Sequence, residues 1–362
     1  MATVHDLIDM KAQVGYEGPL PEDFAQGRFH GYPLYTVIAD GDWTIYEARS
    51  HEDTFLASPA REPVLEWIRL GVKTDLLGKK IFSHHFILTT GGDYQMAHDR
   101  FIQQVPNDLR AAVTLVTNAG ARLFYYDSVH NCYQESEHYS SCAIEGGVGI
   151  DKTTQEDFLE KALVLINLFF SYLKKDEELR KEVQQAPYGE RVQAFAAAYP
   201  EEGVSLERFR QEKRVLYGID KTLNVCPRIE LRGINEDRVV QISIVGMFSN
   251  LPRLREYPEF QQILAQLGSY PHTILSQNLC VLEVSRTNKG TTLKYLGLHP
   301  DYSCGLGDSP EGNDKPLGEY WALIDGQNRL MPFVSVAETF PENLPNQYHI
   351  GNRVLGTKAF FE

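Results

Sequence analysis

The chain has 362 residues, 43% of them hydrophobic and 23% charged, with a formal net charge of -14. That balance suits a globular protein with one large or two medium domains, and the acidity excludes a nucleic-acid surface, which needs clustered Lys and Arg against phosphate. The five cysteines, at 132, 142, 226, 280 and 304, are odd in number and form no CxxC pair, so reduced thiols are expected.

The opening stretch, MATVHDLIDMKAQVGYEG, carries Asp6 and Asp9 and no long apolar run, so a secretory leader is not expected. Residues 1–30 read as an irregular, polar lead-in. LYTVIA (34–39) predicts a strand, and PVLEWIRLGV (63–72) has helical spacing. HHFILTT (84–90) is a second strand that ends at Gly91-Gly92, and DYQMAHDRFIQQV (93–105) is helical in period. AAVTLVTNAGARLFYYD (111–127) is a third strand region with a turn at Asn118-Ala119-Gly120. Alternating strands and helices predict a parallel sheet with helices on its faces.

The pattern changes after residue 127. Thr153-x-x-Glu156 reads as a capping box that opens a long helix to Lys175. Within it, ALVLINLFFSYL (162–173) is too short for a membrane span and flanked by charge. Charged helical sequence continues to residue 200. RIELRG (228–233) and RVVQISIVGM (238–247) alternate as paired strands. LPRLREYPEFQQILAQL (251–267) is helical and LCVLEVS (279–285) is a strand. GTTLKYLGLH (290–299) is helical again, and YSCGLGDSPEGND (302–314) ends a strand at a Gly-Asp turn. The expected fold class is α/β: a parallel-sheet core in two parts, 1–127 and 281–362, split by an α+β insertion over 128–280.

In open parallel sheets ligands bind at the carboxyl ends of strands. Asp40 and Asp42 follow the first strand, Thr90 ends the second, Lys289 precedes a helix, and Asp308 and Asp314 follow the last strand. This set suits phosphoryl transfer. Asp40 can attack phosphorus and form an aspartyl-phosphate. Asp42 can protonate the leaving oxygen and later take a proton from water. Thr90 and Lys289 can hold the transferring oxygens, with Lys289 adding positive charge. Asp308, with Asp40 and the backbone carbonyl of Asp42, can complete an all-oxygen Mg²⁺ site that Asp314 supports. Each residue also has a plainer reading. DGD is a common turn string, Thr90 could cap the next helix, and Lys289 could be an exposed lysine with Lys294 as its rival.

These stretches resemble the motifs of haloacid-dehalogenase-like phosphatases. DGDWT (40–44) is similar to the family's DxDxT motif, and ILTTGG (87–92) to its second motif. TNAGARLF (117–124) is similar to the NGA segment of the branch with a large cap. NKGTTLKYL (288–296) resembles the third motif and GDSPEGND (307–314) the acidic fourth. The resemblance spans 34–320. It implies a Rossmann-like core with a type-2 cap inserted between motifs two and three. It also implies Mg²⁺, Asp40 as nucleophile and Asp42 as acid/base. The candidate metal ligands are Asp40, Asp42, Asp308 and Asp314. The candidate substrate contacts are Thr44, Gly91, Asn118 and, in the cap, Arg232, whose fork suits phosphate.

Two branches are similar in detail. GDSPEGND and LTTGGD look like eukaryotic-type phosphomannomutases, although Met247 stands where those carry an Arg and Trp43 where they carry a Gly. DGDWTIYE looks like the first motif of IMP-specific 5'-nucleotidases. The expectation is a cytoplasmic, Mg²⁺-dependent phosphatase of a small phosphate ester, either a sugar phosphate or a nucleotide. It has no nucleic-acid or membrane partner, and a homo-oligomer is compatible with it. A phosphomutase, or a catalytically idle binding protein of the same fold, are the alternatives.

Overall fold

The computed structural model describes residues 28–29, 32–48, 53–74, 76, 80–186, 189–218, 225–233, 238–277, 280–339 and 346–362. Apart from the short strand Arg28–Phe29, the expected irregular lead-in lies outside these residues. The chain groups into two compact units, one of Met1–Glu145 with Asn288–Glu362 and one of Gly146–Thr287.

Among the described residues of the first unit, eight strands form one sheet: β1 (Thr36–Asp40), β2 (His85–Thr89), β3 (Val113–Thr117), β4 (Arg122–Asp127), β5 (Cys132–Glu135), β6 (Ser303–Gly307), β7 (Phe333–Ser335) and β8 (Gln347–His349). Their order across the sheet is β8-β7-β6-β1-β2-β3-β4-β5. From β8 to β3 the neighbours are parallel, while β4 and β5 add antiparallel. From β1 the chain winds to one side through β2 and β3; from β6 it winds to the other through β7 and β8. The winding therefore reverses between β1 and β6, and a ligand crevice forms at that switch point. The residues at its lips are Asp40 and Asp308.

Side-chain alternation explains the apolar runs. Val37, Ala39, Phe86, Leu88, Val113 and Leu115 share one buried cluster with Val64, Leu65 and Ile68 of helix α1 (Arg61–Leu70). Ile38, Ile87 and Val116 point into a second cluster with Leu293. Both faces of these strands are covered, so their sequences are apolar without a polar alternate. Three further helices matter for the site: α2 (Tyr94–Arg100), α3 (Lys289–Leu296) and α4 (Val354–Phe361). By the same alternation Asp40 lies on the Ile38 face, the face covered by α3. Each fully buried Val, Leu, Ile or Phe contributes about 1.5–3 kcal/mol, so the strand ends are held by a rigid support.

The expected insertion boundary of 128–280 moves to 146–287. After β4 the chain turns back and pairs as β5, Asp127 opposite Cys132, instead of leaving the core. The β5 sequence CYQE, half exposed at the sheet edge, carries no apolar run that would reveal a strand.

The second unit is α+β. Its strands lie in the order Val215–Tyr217, Arg228–Gly233, Val239–Val245, Val281–Ser285 and Ile274–Gln277. The first pair is parallel and the rest antiparallel. Helix Lys152–Lys175 packs Phe158, Phe169 and Phe170 into one cluster with Ile229, Ile242, Ile244 and Leu282. Its N-cap is Asp151, whose carboxylate accepts from the Thr154 N–H at 2.9 Å. The expected capping box on Thr153 is displaced two residues, because an Asp cap satisfies the first-turn N–H and also complements the helix dipole. Among the described residues no helix is long and apolar enough to cross a membrane.

Candidate active site

Asp40 closes β1 and is 4% exposed. The chain then turns tightly: the N–H groups of Ile45 and Tyr46 donate to the Gly41 carbonyl at 2.9 and 3.2 Å, and the Trp43 N–H donates to the Tyr46 carbonyl at 2.8 Å. A Cβ at position 41 would stand 2.6 Å from the Tyr46 hydroxyl, so any larger residue there would displace the buried Tyr46 ring. Thr44 is fully buried within this turn, and its carbonyl accepts from the Thr357 hydroxyl of α4 at 2.6 Å.

Lys289 is the first residue of α3. Asn288 caps the helix, accepting from the Thr291 N–H at 3.1 Å, while the Thr291 hydroxyl accepts from the Asn288 N–H at 3.1 Å. This reciprocal box fixes the first turn and aims Lys289 at the strand end. Its Nζ lies 2.6 Å from Asp40 Oδ1 and 2.5 Å from Asp314 Oδ1. Asp314 is fully buried, and its second oxygen accepts from the Ser309 N–H at 3.0 Å. A Cβ at Gly307 would meet that oxygen at 2.4 Å, so the glycine before Asp308 is what lets Asp314 turn inward. The rival Lys294 is exposed.

The structure thus gathers Asp40, Asp308 and Asp314, with one ligand oxygen of each lying within 4.8 Å of the others. A cleft of about 300 Å³ beside them is lined by Asp308, Ser309, Gly312, Ala337 and Thr339. Three carboxylates face one lysine. Burial, then the Asp314 charge, holds the Asp40 carboxyl well above the usual carboxylate range, against the pull of Lys289. Burial and Asp314 push Asp308 up to about 7. Burial opposes the charge on Lys289, but Asp314 and Asp40 outweigh it and raise its pKa. A buried, oxygen-only donor set with surplus negative charge suits a hard divalent cation.

A carboxyl whose pKa is raised by folding stabilises the native state while protonated and loses that contribution as pH rises through its folded value. The metal-free protein is therefore expected to melt higher at about pH 6 than at about pH 8, and Asp308→Asn should flatten the trend. Thermal melts at the two pH values check this. An identical pH trend in wild type and Asp308→Asn would show that the cluster does not repel itself.

Thr90, just past β2, is 2% exposed. Its hydroxyl accepts from the Gly92 N–H at 3.1 Å, shaping the Thr90-Gly91-Gly92 turn. The hairpin turn 118–120 clamps onto it: the Asn118 N–H donates to the Gly92 carbonyl at 2.7 Å, and the Ala119 N–H to the Thr90 carbonyl at 3.1 Å. Asn118, Ala119 and Gly120 have φ of 53°, 52° and 89°. At Gly120 a Cβ would strike the Asn288 carbonyl at 2.0 Å. The left-handed run therefore packs the second-motif loop against the start of α3, one residue before Lys289. Strain of this kind persists where the surroundings enforce it.

Asp42 does not join the carboxylate cluster through its side chain. Its Oδ1 accepts from Arg100 Nη1 at 2.6 Å, and the carboxylate is 42% exposed. Arg100, 7% exposed, also donates to the carbonyls of Asp53 and Glu47 at 2.8 and 2.7 Å and lies 4.3 Å from the Tyr46 ring centroid. Sequence reasoning missed this residue. In DYQMAHDR it looks like an ordinary basic residue in the last turn of a helix. Arg100→Met is expected to destabilise the protein by about 2 kcal/mol, because it removes hydrogen bonds to one carboxylate and two carbonyls that are partly buried. Denaturant unfolding checks this, and no loss of stability would show that the Arg100 anchors are not needed.

Arg232 lies in the second unit. It pairs with Glu230 at 2.5 Å and with Glu283 at 3.6 Å. Met247, where the phosphomannomutase-like pattern has an Arg, is fully buried in that unit's core.

No protein-family model matches the chain, and no curated protein matches it. Among solved structures, IMP-bound, N-terminally truncated Plasmodium falciparum IMP-nucleotidase is 11% identical over 91% of this chain and 67% of its own, with a TM-score of 0.46. Aspergillus fumigatus trehalose-6-phosphate phosphatase, crystal form 3, is 10% identical over 96% of this chain and 97% of its own, also with a TM-score of 0.46. Crystal form 2 of that phosphatase is 11% identical over 91% of each chain, with a TM-score of 0.43. The chain is similar to these proteins only at that level, and the chemistry has to be argued from its own residues.

Proposed function

We propose that the chain is a Mg²⁺-dependent phosphatase of the haloacid-dehalogenase-like superfamily that hydrolyses a small phosphorylated metabolite through Asp40. The observation that carries this reading is the meeting of Asp40, Asp308 and Asp314 around Lys289 at the β1–β6 switch point. Residues from opposite ends of the chain have little structural reason to bury three acids together. The α+β character of the 146–287 unit fits the large-cap branch.

In the first step an Asp40 carboxylate oxygen attacks phosphorus and the ester P–O bond breaks. The leaving oxygen takes a proton from the Asp42 carboxyl. In the second step water attacks the same phosphorus and Asp42 takes back a proton. The Asp40 carboxylate leaves and inorganic phosphate departs. One water is consumed, and one alcohol and one phosphate are released. Arg100 grips Asp42 by Oδ1, so its other oxygen can carry the proton. Asp40, Asp308 and Asp314, with the Asp42 backbone, would hold Mg²⁺, which supplies charge against the phosphoryl oxygens when bound. Lys289 holds the nucleophile, and the Thr90 and Gly91 turn offers phosphate donors. Thr44, Asn118 and Arg232 are the other proposed substrate contacts; Thr44 and Asn118 are both fully buried.

The test is phosphate release from a panel of sugar phosphates and nucleoside monophosphates, with and without Mg²⁺. Release that depends on Mg²⁺ is expected. Turnover without phosphate release, dependent on a bisphosphate activator, would indicate a mutase. No turnover on the whole panel would favour a binding protein.

A further inference from the structure

The C-terminal segment reaches the rim of the acidic cluster. Residues Gly351, Asn352 and Arg353 have φ of 74°, 58° and 49° in succession. Non-glycine residues avoid that region unless their surroundings impose it, and such strain gathers at functional sites. Here the surroundings are the sheet's carboxyl edge. The Ile350 N–H donates to the Ser335 carbonyl at 2.9 Å and the Arg353 N–H to the Val336 carbonyl at 2.7 Å. Ser335 closes β7 and is paired with Gly307, the residue before Asp308.

The turn presents one cation. The Arg353 guanidinium lies 4.3 Å from the centroid of the Trp43 ring, and Trp43 adjoins Asp42. Trp43 itself has φ of 60°, so both partners are held in the left-handed region. Arg353 keeps 35% of its side chain exposed, and its pair with the more exposed Glu338, at 3.3 Å, is a surface contact of small worth.

Charge balance then points to a role. Lys289 and a divalent cation together neutralise three carboxylates. A phosphate monoester arrives with about two further negative charges, which that cluster does not offset. Arg353 lies over the face of the Trp43 ring, and a planar fork of N–H donors matches phosphate oxygens.

We propose that Arg353 is a substrate-binding residue that receives the phosphoryl oxygens of the phosphate ester and of the inorganic phosphate product, with Trp43 as its platform. This inference rests on the phosphatase reading. A structural strap between the C-terminal helix and the Trp43 turn is the competing account of the same contacts.

The test compares wild type with Arg353→Ala and Arg353→Lys in the full chain. It measures KM and kcat for p-nitrophenyl phosphate, the inhibition constant of inorganic phosphate, and the melting temperature. Arg353→Ala should raise KM and the phosphate inhibition constant together by roughly ten- to a hundredfold, and added guanidinium should restore part of the loss. Arg353→Lys, which keeps the charge and loses the fork, should fall between. If both constants stay within about twofold of wild type and only the melting temperature drops, the residue is a strap and the proposal is overturned. If the wild type releases no phosphate, the phosphatase reading fails, and calorimetry with inorganic phosphate and Mg²⁺ decides the rest. Phosphate binding lost in Arg353→Ala would uphold the receptor; equal or absent binding would overturn it.

Discussion

Asp40→Asn is expected to lower phosphate release by about four orders of magnitude or more, the scale seen when a covalent nucleophile is removed. An amide nitrogen or oxygen does not attack phosphorus at neutral pH, so what remains is the contribution of the other groups to binding. The fold should survive the change. Asp40 is buried beside Asp314 and Asp308, and its carboxyl is held well above its usual range by burial first and their charges second. A neutral residue of the same size removes that repulsion, although it also removes one partner of Lys289 at 2.6 Å. The metal-free variant should therefore melt within a few degrees of wild type, so that lost activity is not lost structure. Steady-state phosphate release, read beside a thermal melt, checks both parts. Turnover within about tenfold of wild type would end the assignment of Asp40 as nucleophile.

The sequence made the strand ends legible because they combine two signals, a buried apolar run and an abrupt polar stop. TVIAD, HFILT and SCGLG all lie in the sheet where the runs predicted them. Asp40, Thr90 and Asp308 stood out because they follow apolar runs at strand ends, whereas Lys289 stood out through the NKG stretch that resembles a known motif. Other features left no local trace. Arg100 is buried by contacts with carbonyls at 47 and 53, far away in the chain. Its helix shows only an ordinary basic residue in its last turn. Arg353 owes its place to hydrogen bonds with the end of β7; the Gly351-Asn352 pair in IGNRVLG signals a left-handed turn, but nothing local shows that it carries Arg353 to Trp43. The edge strand β5 was missed for a related reason. Half-exposed strands at a sheet edge need little hydrophobicity, so CYQE reads as a loop. Tertiary contacts, and not periodicity, decide such positions.

The second large effect concerns Lys289. Lys289→Met keeps an unbranched apolar stem one atom shorter and removes the charge. Asp40 and Asp314 then lose their shared partner, at 2.6 and 2.5 Å, in a site where both carboxylates are almost fully buried. Removing one member of a buried charge network typically costs about 3–5 kcal/mol, and that is the expected loss in denaturant unfolding of the metal-free protein. Phosphate release should fall as well, because the nucleophile is no longer held. Two companions separate charge from packing. Lys289→Met with Asp314→Asn should recover much of the lost stability, since one unpaired acid has gone; a double-mutant cycle of these changes should give a clear coupling energy. Added Mg²⁺ should raise the melting temperature of Lys289→Met more than that of wild type, because the stabilisation from a bound cation grows with the logarithm of its affinity and the variant's carboxylates lack their lysine. A cycle with no coupling, together with a loss below about 1 kcal/mol, would mean that Lys289 is not the counter-charge of the cluster. The three acids at the β1–β6 crevice would then need another explanation.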